Sequence, residues 1–182
     1  MIKESNQRPI LFATLGLPGA GKTTFCRKFA HEFHLVYLNS DRIRKAMFGK
    51  PKYTQIEHDL VYPVMDALAE DALMNGLSVI YDANSSRVHY REALMSITKK
   101  CRARFFLLRF QTPEQVAKKR LGTRKRCMSK VCQNYHPPVP IKDFIRIKNT
   151  LEEPTSKEPT ICIKGTDSYA KQRDTVVERA GL

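Results

Sequence analysis

Short apolar runs alternate with helical stripes along most of the chain, the pattern of a parallel sheet wrapped by helices. Ile10–Leu15 reads as the first strand and opens into Gly16-Leu17-Pro18-Gly19-Ala20-Gly21. Beyond it Phe25, Phe29 and Phe33 fall four apart, on one face of a helix. Leu35–Leu38 is a second, shorter strand. A long helix begins at Thr54, where Thr54 and Glu57 form a capping-box pair. Ile56, Leu60, Val64 and Leu68 supply its expected buried face, Gly76 fits its end, and Pro63 should bend or interrupt it. Ser78–Tyr81 and Arg104–Phe110 are the third and fourth strands, with a helix over about Arg87–Lys100 between them. Thr112, Pro113 and Gln115 combine an N-cap, a first-turn proline and a capping glutamine. Residues 122–140, with Gly122, the basic run Arg124-Lys125-Arg126 and Pro137-Pro138-Val139-Pro140, read as a mobile segment. A short helix near Ile141–Leu151, a fifth strand at Thr160–Lys164 and a helix over Tyr169–Ala180 complete the pattern.

A chain of 182 residues, 42% hydrophobic, holds one full core and is too short for two, so residues 1–182 are expected to form a single domain. The expected fold is α/β, a P-loop fold with a five-stranded, mainly parallel sheet flanked by helices and a helical lid at about residues 113–140. Met1–Pro9 is polar and the apolar runs are strand-length, which points to a soluble, cytoplasmic protein without a membrane partner. Five cysteines without framework spacing fit reduced thiols. Cys127, Cys132 and His136 could supply three zinc ligands, but no Cys-x-x-Cys pair anchors them and they read as ordinary lid residues. The net charge of +14 favours an anionic partner: nucleotide, nucleic acid or phosphorylated metabolite.

Candidate chemistry concentrates after the first strand. Gly16-Leu17-Pro18-Gly19-Ala20-Gly21-Lys22-Thr23 matches G-x-x-x-x-G-K-[ST] at every fixed position. A chance match in a chain of this length is on the order of one in a hundred. Glycines let the backbone curl so that successive N–H groups meet phosphate oxygens, and the following helix directs its positive dipole end at the same anion. Gly16, Pro18, Gly19, Ala20, Gly21, Lys22, Thr23 and Thr24 are therefore candidates for binding ATP, with Lys22 on the β- and γ-phosphates and Thr23 on Mg²⁺. No Asn-Lys-x-Asp base-reading element of a GTPase is present.

Asp41, just past the second strand, lies where a carboxylate can take the proton of an attacking hydroxyl, and Arg44 shares its helical face. Asp82 ends the third strand, the place of a metal-binding carboxylate, and Asn84 is a candidate acceptor contact. Arg120 and Arg124, four apart, suit a guanidinium clamp on the transferring phosphoryl. Taken in order, the P-loop through Thr24, Asn39-Ser40-Asp41-Arg42-Ile43-Arg44, Tyr81-Asp82-Ala83-Asn84, Arg91-Glu92-Ala93-Leu94 and Arg120-x-x-x-Arg124 resemble the kinase domain of phage-type polynucleotide 5′-hydroxyl kinases, within the wider set of small AAA-like P-loop kinases. That resemblance implies Lys22 and Thr23 on ATP and magnesium, Asp41 as general base, Arg44 positioning the acceptor, Arg120 and Arg124 on the phosphoryl, and Asp82 in the acceptor and metal region. Its implied acceptor is a nucleic acid 5′-hydroxyl. Ala83 replaces a hydroxyl residue of that family, which leaves a small-molecule hydroxyl acceptor (a nucleoside, sugar or antibiotic) open. A nucleotide switch without an acceptor and a nucleic-acid module with a vestigial P-loop are further readings. The base at Asp41 speaks against the first and the complete P-loop against the second.

Overall fold

The computed structural model describes residues 8–124 and 139–182. Strands β1 (Ile10–Leu15), β2 (Val36–Asn39), β3 (Val79–Asp82), β4 (Arg104–Gln111) and β5 (Thr160–Lys164) form one sheet in the order β2-β3-β1-β4-β5. Every pairing is parallel, so the expected "mainly parallel" sheet is wholly so among the described residues. β1 is central and buried along its whole length, and its faces sort by alternation. Ile10 and Phe12 join one core cluster, Leu11, Ala13 and Leu15 the other. On the first face lies α1 (Lys22–Glu32), where Phe25 stacks on Phe29 at 5.1 Å and Phe29 meets Phe33 at 4.5 Å, the expected stripe. α7 (Tyr169–Ala180) packs beside it through Val176 and Ala180.

The opposite face is covered by α3 (Gln55–Met74) and α4 (Val88–Lys100). Here the expected burial of α3 is wrong. Ile56, Leu60, Val64 and Leu68 are exposed, Ile56 at 72%, whereas Val61, Met65, Ala69 and Leu73 face the sheet. Both columns recur every four residues, so spacing alone could not choose between them. Polar anchors set the rotation. Glu57 is buried and accepts from the Lys52 and Tyr53 backbone N–H groups at 2.8 and 2.7 Å, and the Tyr62 hydroxyl accepts from Asn84 N at 3.2 Å. α3 also runs through Pro63 without interruption. The Thr54 hydroxyl caps its start and Gly76, at φ 76°, follows its end, as expected.

α2 (Ser40–Phe48) follows β2 directly, and β2 itself ends one residue later than its apolar run implied, at Asn39. α5 (Glu114–Arg124) includes Gly122, so the residues expected to begin a mobile segment close a helix instead. α6 (Ile141–Thr150) packs Phe144 against Ala117 and Leu121 of α5. Residues 125–138, and with them Cys127, Cys132 and His136 and most of the expected lid, lie outside the described residues. Arg91 serves the architecture. Fully buried on α4, it pairs with Glu158 and donates to Ser85 O at 3.0 Å, tying the segment before β5 to the sheet face. Among the described residues no helix is long and apolar enough to cross a membrane.

Candidate active site

Parallel strands deliver their carboxyl ends to one edge, and the register sets β2 and β3 level, with Asn39 opposite Asp82. β1, on the other side of β3, runs out into the P-loop at that edge. Gly19, at φ 84°, passes so close to α5 that a Cβ would strike the Ala117 carbonyl, which makes this a glycine position on two counts. Gly21 precedes α1 in a left-handed conformation and offers no side-chain cap. The first N–H groups of α1 are thus left for an anion, with the positive end of the helix behind them. The Lys22 ammonium curls over the loop and donates to Gly16 O at 2.7 Å and Leu17 O at 3.1 Å. Pro18 is half-buried in the turn, Ala20 N closes it on Leu17 O at 3.0 Å, and Thr24 is exposed in the first turn of α1.

The loop is held from behind. Thr112 Oγ1 donates to Ala20 O at 3.0 Å, and Arg120 donates through Nη1 to Ala20 O at 3.3 Å and through Nη2 to Gly165 O at 2.9 Å. Arg120 is thus gathered to the P-loop as expected, but by its carbonyls. The Arg124 side chain lies outside the described residues. Gly165 sits where a Cβ would collide with Thr112 Oγ1 and Ala20 O. Gly165→Ala, outside the motif, is expected to cost about 1–3 kcal/mol through this overpacking and to weaken nucleotide binding. Urea denaturation together with a nucleotide titration checks both.

Asp82 is the hub of the edge. It is buried and accepts from Thr23 Oγ1 at 3.3 Å, Asn39 Nδ2 at 2.7 Å and the Tyr37 hydroxyl at 2.8 Å. Burial pushes its carboxyl above the usual range, and these three donors with the Lys22 charge oppose the rise. Thr23 and Asp82 form an oxygen-only pair of the kind Mg²⁺ takes alongside phosphate oxygens and water. The expected metal pair is therefore brought together.

Asn39 also caps α2, accepting from Arg42 N at 2.9 Å, which sets Asp41 in the first turn. Burial, then the negative charge of Asp82, pushes the Asp41 carboxyl up to about 6, against the Arg44 guanidinium and the Tyr53 hydroxyl that donates to it. Arg44 lies 3.8 Å from Asp41, as its spacing implied, but is buried and also lies 3.6 Å from Glu57 and over the Tyr53 ring. Asn84 meets Tyr62 through its backbone. The sequence reading missed Tyr37, Asn39, Tyr53 and Glu57 as site residues. Asn39, an N-cap residue directly before a helix, and Glu57, paired with Thr54 in a capping box, carried local signals, but of helix starts and not of a site.

Residues 11–136 match the AAA domain family. The chain belongs to that family. This AAA domain is 27% identical over 116 residues to the L-seryl-tRNA(Sec) kinase of Methanococcus maripaludis, an alignment spanning 61% of this chain and 44% of the relative. Its fold is shared with Chaetomium thermophilum Kti12 in complex with ADP-AlF3, at TM-score 0.71 and 17% identity, covering 94% of this chain and 98% of that one. The Mycobacterium tuberculosis APS kinase in complex with AMPPNP and APS superposes at TM-score 0.68 and 16% identity, covering 97% and 99%. At these identities the superpositions establish the fold of the AAA domain.

Proposed function

We propose that this AAA domain, a single P-loop unit, is a phosphotransferase that moves the γ-phosphoryl group of ATP to an acceptor hydroxyl. The observation that carries the reading is the meeting, at one sheet edge, of Lys22 and Thr23 with Asp82 and of these with Asp41, whose raised pKa suits a base. Lys22 and the first turn of α1 bind and orient the phosphates. Mg²⁺, when held by Thr23 and Asp82, supplies neutralising charge on the phosphate oxygens. Asp41 takes the acceptor proton, and Arg44 and Tyr53 fix the direction of its carboxylate. Arg120, held at the P-loop by Ala20 O and Gly165 O, keeps guanidinium charge beside the phosphate site. The nucleotides named with two solved neighbours and the name of the archaeal relative fit this reading.

The acceptor is a hydroxyl on a small molecule or on a polynucleotide. The net charge of +14 and a relative named for a tRNA-borne substrate favour an RNA-borne hydroxyl; the modest size of the domain favours a free one. Transfer of labelled phosphate from γ-labelled ATP with Mg²⁺ is expected to at least one of 5′-hydroxyl RNA and DNA oligomers, nucleosides, sugars and aminoglycosides. Label on none of them, with ATP still bound, would favour a nucleotide switch instead.

A further inference from the structure

A cleft of about 260 Å³ opens between α3 and α4, lined by neither the P-loop nor Asp82. Its walls are ringed. His58 lies on Tyr62 with ring centres 3.9 Å apart, and Tyr90 stands 5.4 Å from Tyr62 and 5.3 Å from His58. Two buried polar atoms of its lining, Ser85 Oγ and His58 Nε2, have no hydrogen-bond partner among the described residues, and Ser85 is only 1% exposed. Buried groups left unpaired are costly, so a molecule in the cleft that reached them on a small shift of the lining would gain a hydrogen bond. Asp59 and Asp66 line it as well. Asp66 accepts from the Tyr81 hydroxyl with Oδ1, leaving its second oxygen as an acceptor.

Among the described residues no Lys or Arg lines this cleft, and none occurs in the sequence between Lys52 and Arg87 although the chain has 32. Asp59 and Asp66 oppose an anion there, the Arg44 and Arg146 charges reach His58 from outside the lining, and the wall suits a neutral ring carrying amine hydrogens. The volume lies just below the about 300–1,000 Å³ of sites for drug-sized ligands, room for a ring with its sugar outside. Residue contacts lead from the cleft to the base. His58 follows Glu57, which lies 3.6 Å from Arg44, itself 3.8 Å from Asp41. On the other side Tyr62 holds the Asn84 backbone, two residues past Asp82.

We propose that this cleft seats the heterocyclic base of a nucleoside acceptor, free or at an oligonucleotide end, stacked on the Tyr90 ring with an exocyclic amine on Asp66 and a ring acceptor on Ser85. The sugar hydroxyl then faces Asp41. This inference rests on the phosphotransferase reading, yet it is tested apart from it.

Calorimetric titration of adenosine and cytidine, with AMPPNP and Mg²⁺ saturating so that the nucleotide site is occupied, should show binding of at least one. Its oxo counterpart, inosine or uridine, should bind about tenfold more weakly, because a carboxylate oxygen then meets a carbonyl. Tyr90→Ala should weaken binding about tenfold and Tyr90→Phe leave it unchanged. Absence of binding, equal affinity for amino and oxo bases, or indifference to Tyr90→Ala would each overturn the proposal. Binding that follows the expected pattern with no phosphate transfer to any acceptor would keep the cleft and remove the kinase. Transfer to a nucleoside with KM unmoved by Tyr90→Ala would do the reverse.

Discussion

Asp41→Asn is expected to lower kcat/KM for phosphoryl transfer by about 10²–10⁴-fold while leaving ATP affinity unchanged. The amide keeps the size of the side chain and an oxygen for the Tyr53 hydroxyl, but it takes no proton. The wild type should also show a pH limb that belongs to this carboxyl. Burial and the charge on Asp82 raise it to about 6, and a base works only when deprotonated. Activity should therefore be level above about pH 7 and fall about tenfold per pH unit below about 6. An ordinary aspartate would place that limb near about 3.9. In Asp41→Asn the residual rate should lose the limb. Steady-state rates from pH 5 to 9 decide the matter, and normal transfer by the mutant would remove Asp41 from the chemistry.

The sheet and the phosphate cradle were legible because both are written contiguously. Five apolar runs become five strands, and the P-loop needs only eight successive residues to define its geometry. The Phe25, Phe29 and Phe33 stripe was read correctly because no rival column competes with it on α1. On α3 two apolar columns do compete, and the choice fell to contacts of Glu57 and Tyr62 with the segment at Lys52–Tyr53 and with Asn84, beyond the reach of local periodicity. The exposed Ile56, Leu60, Val64 and Leu68 column is the price of that rotation.

Candidate residues were likewise found where a motif or strand end marks them, and missed where a partner arrives through the fold. Asp82 was visible as the last residue of a strand. Its donors Tyr37 and Asn39 come through the β2–β3 register, which no single stretch of sequence contains. Tyr53 reaches Asp41 from a left-handed turn with φ 56°, a conformation its side chain does not announce. Arg120 was singled out for its spacing from Arg124, yet what it holds, Ala20 and Gly165, lies 100 and 45 residues away. The cleft between α3 and α4 belongs to the same class: His58 and Tyr62 share a face of α3, but Ser85 and Tyr90 join them only when both helices settle on the sheet.

Lys22→Ala is expected to reduce transfer on the order of 10³-fold, about 4 kcal/mol of transition-state stabilisation, as the loss of a preorganised cation from a moving phosphoryl group requires. Stability should change little, because Thr112 and Arg120 hold the loop through Ala20 and Gly165 without the lysine. Unlike Asp41→Asn, this variant should also bind ATP more weakly. Lys22→Arg should not restore the rate, since the broad guanidinium fork does not replace a compact ammonium folded against Gly16 O and Leu17 O. A second consequence separates charge from shape. The Lys22 charge helps hold the Asp41 carboxyl down, so the residual pH limb of Lys22→Ala should lie above that of the wild type, whereas Lys22→Arg should leave it near its place. Rates and thermal unfolding of both variants, measured across the same pH range, test the two consequences together. An unchanged limb in Lys22→Ala, with a normal melting temperature, would mean that the Lys22 charge does not act on Asp41 and that burial and Asp82 alone set its limb.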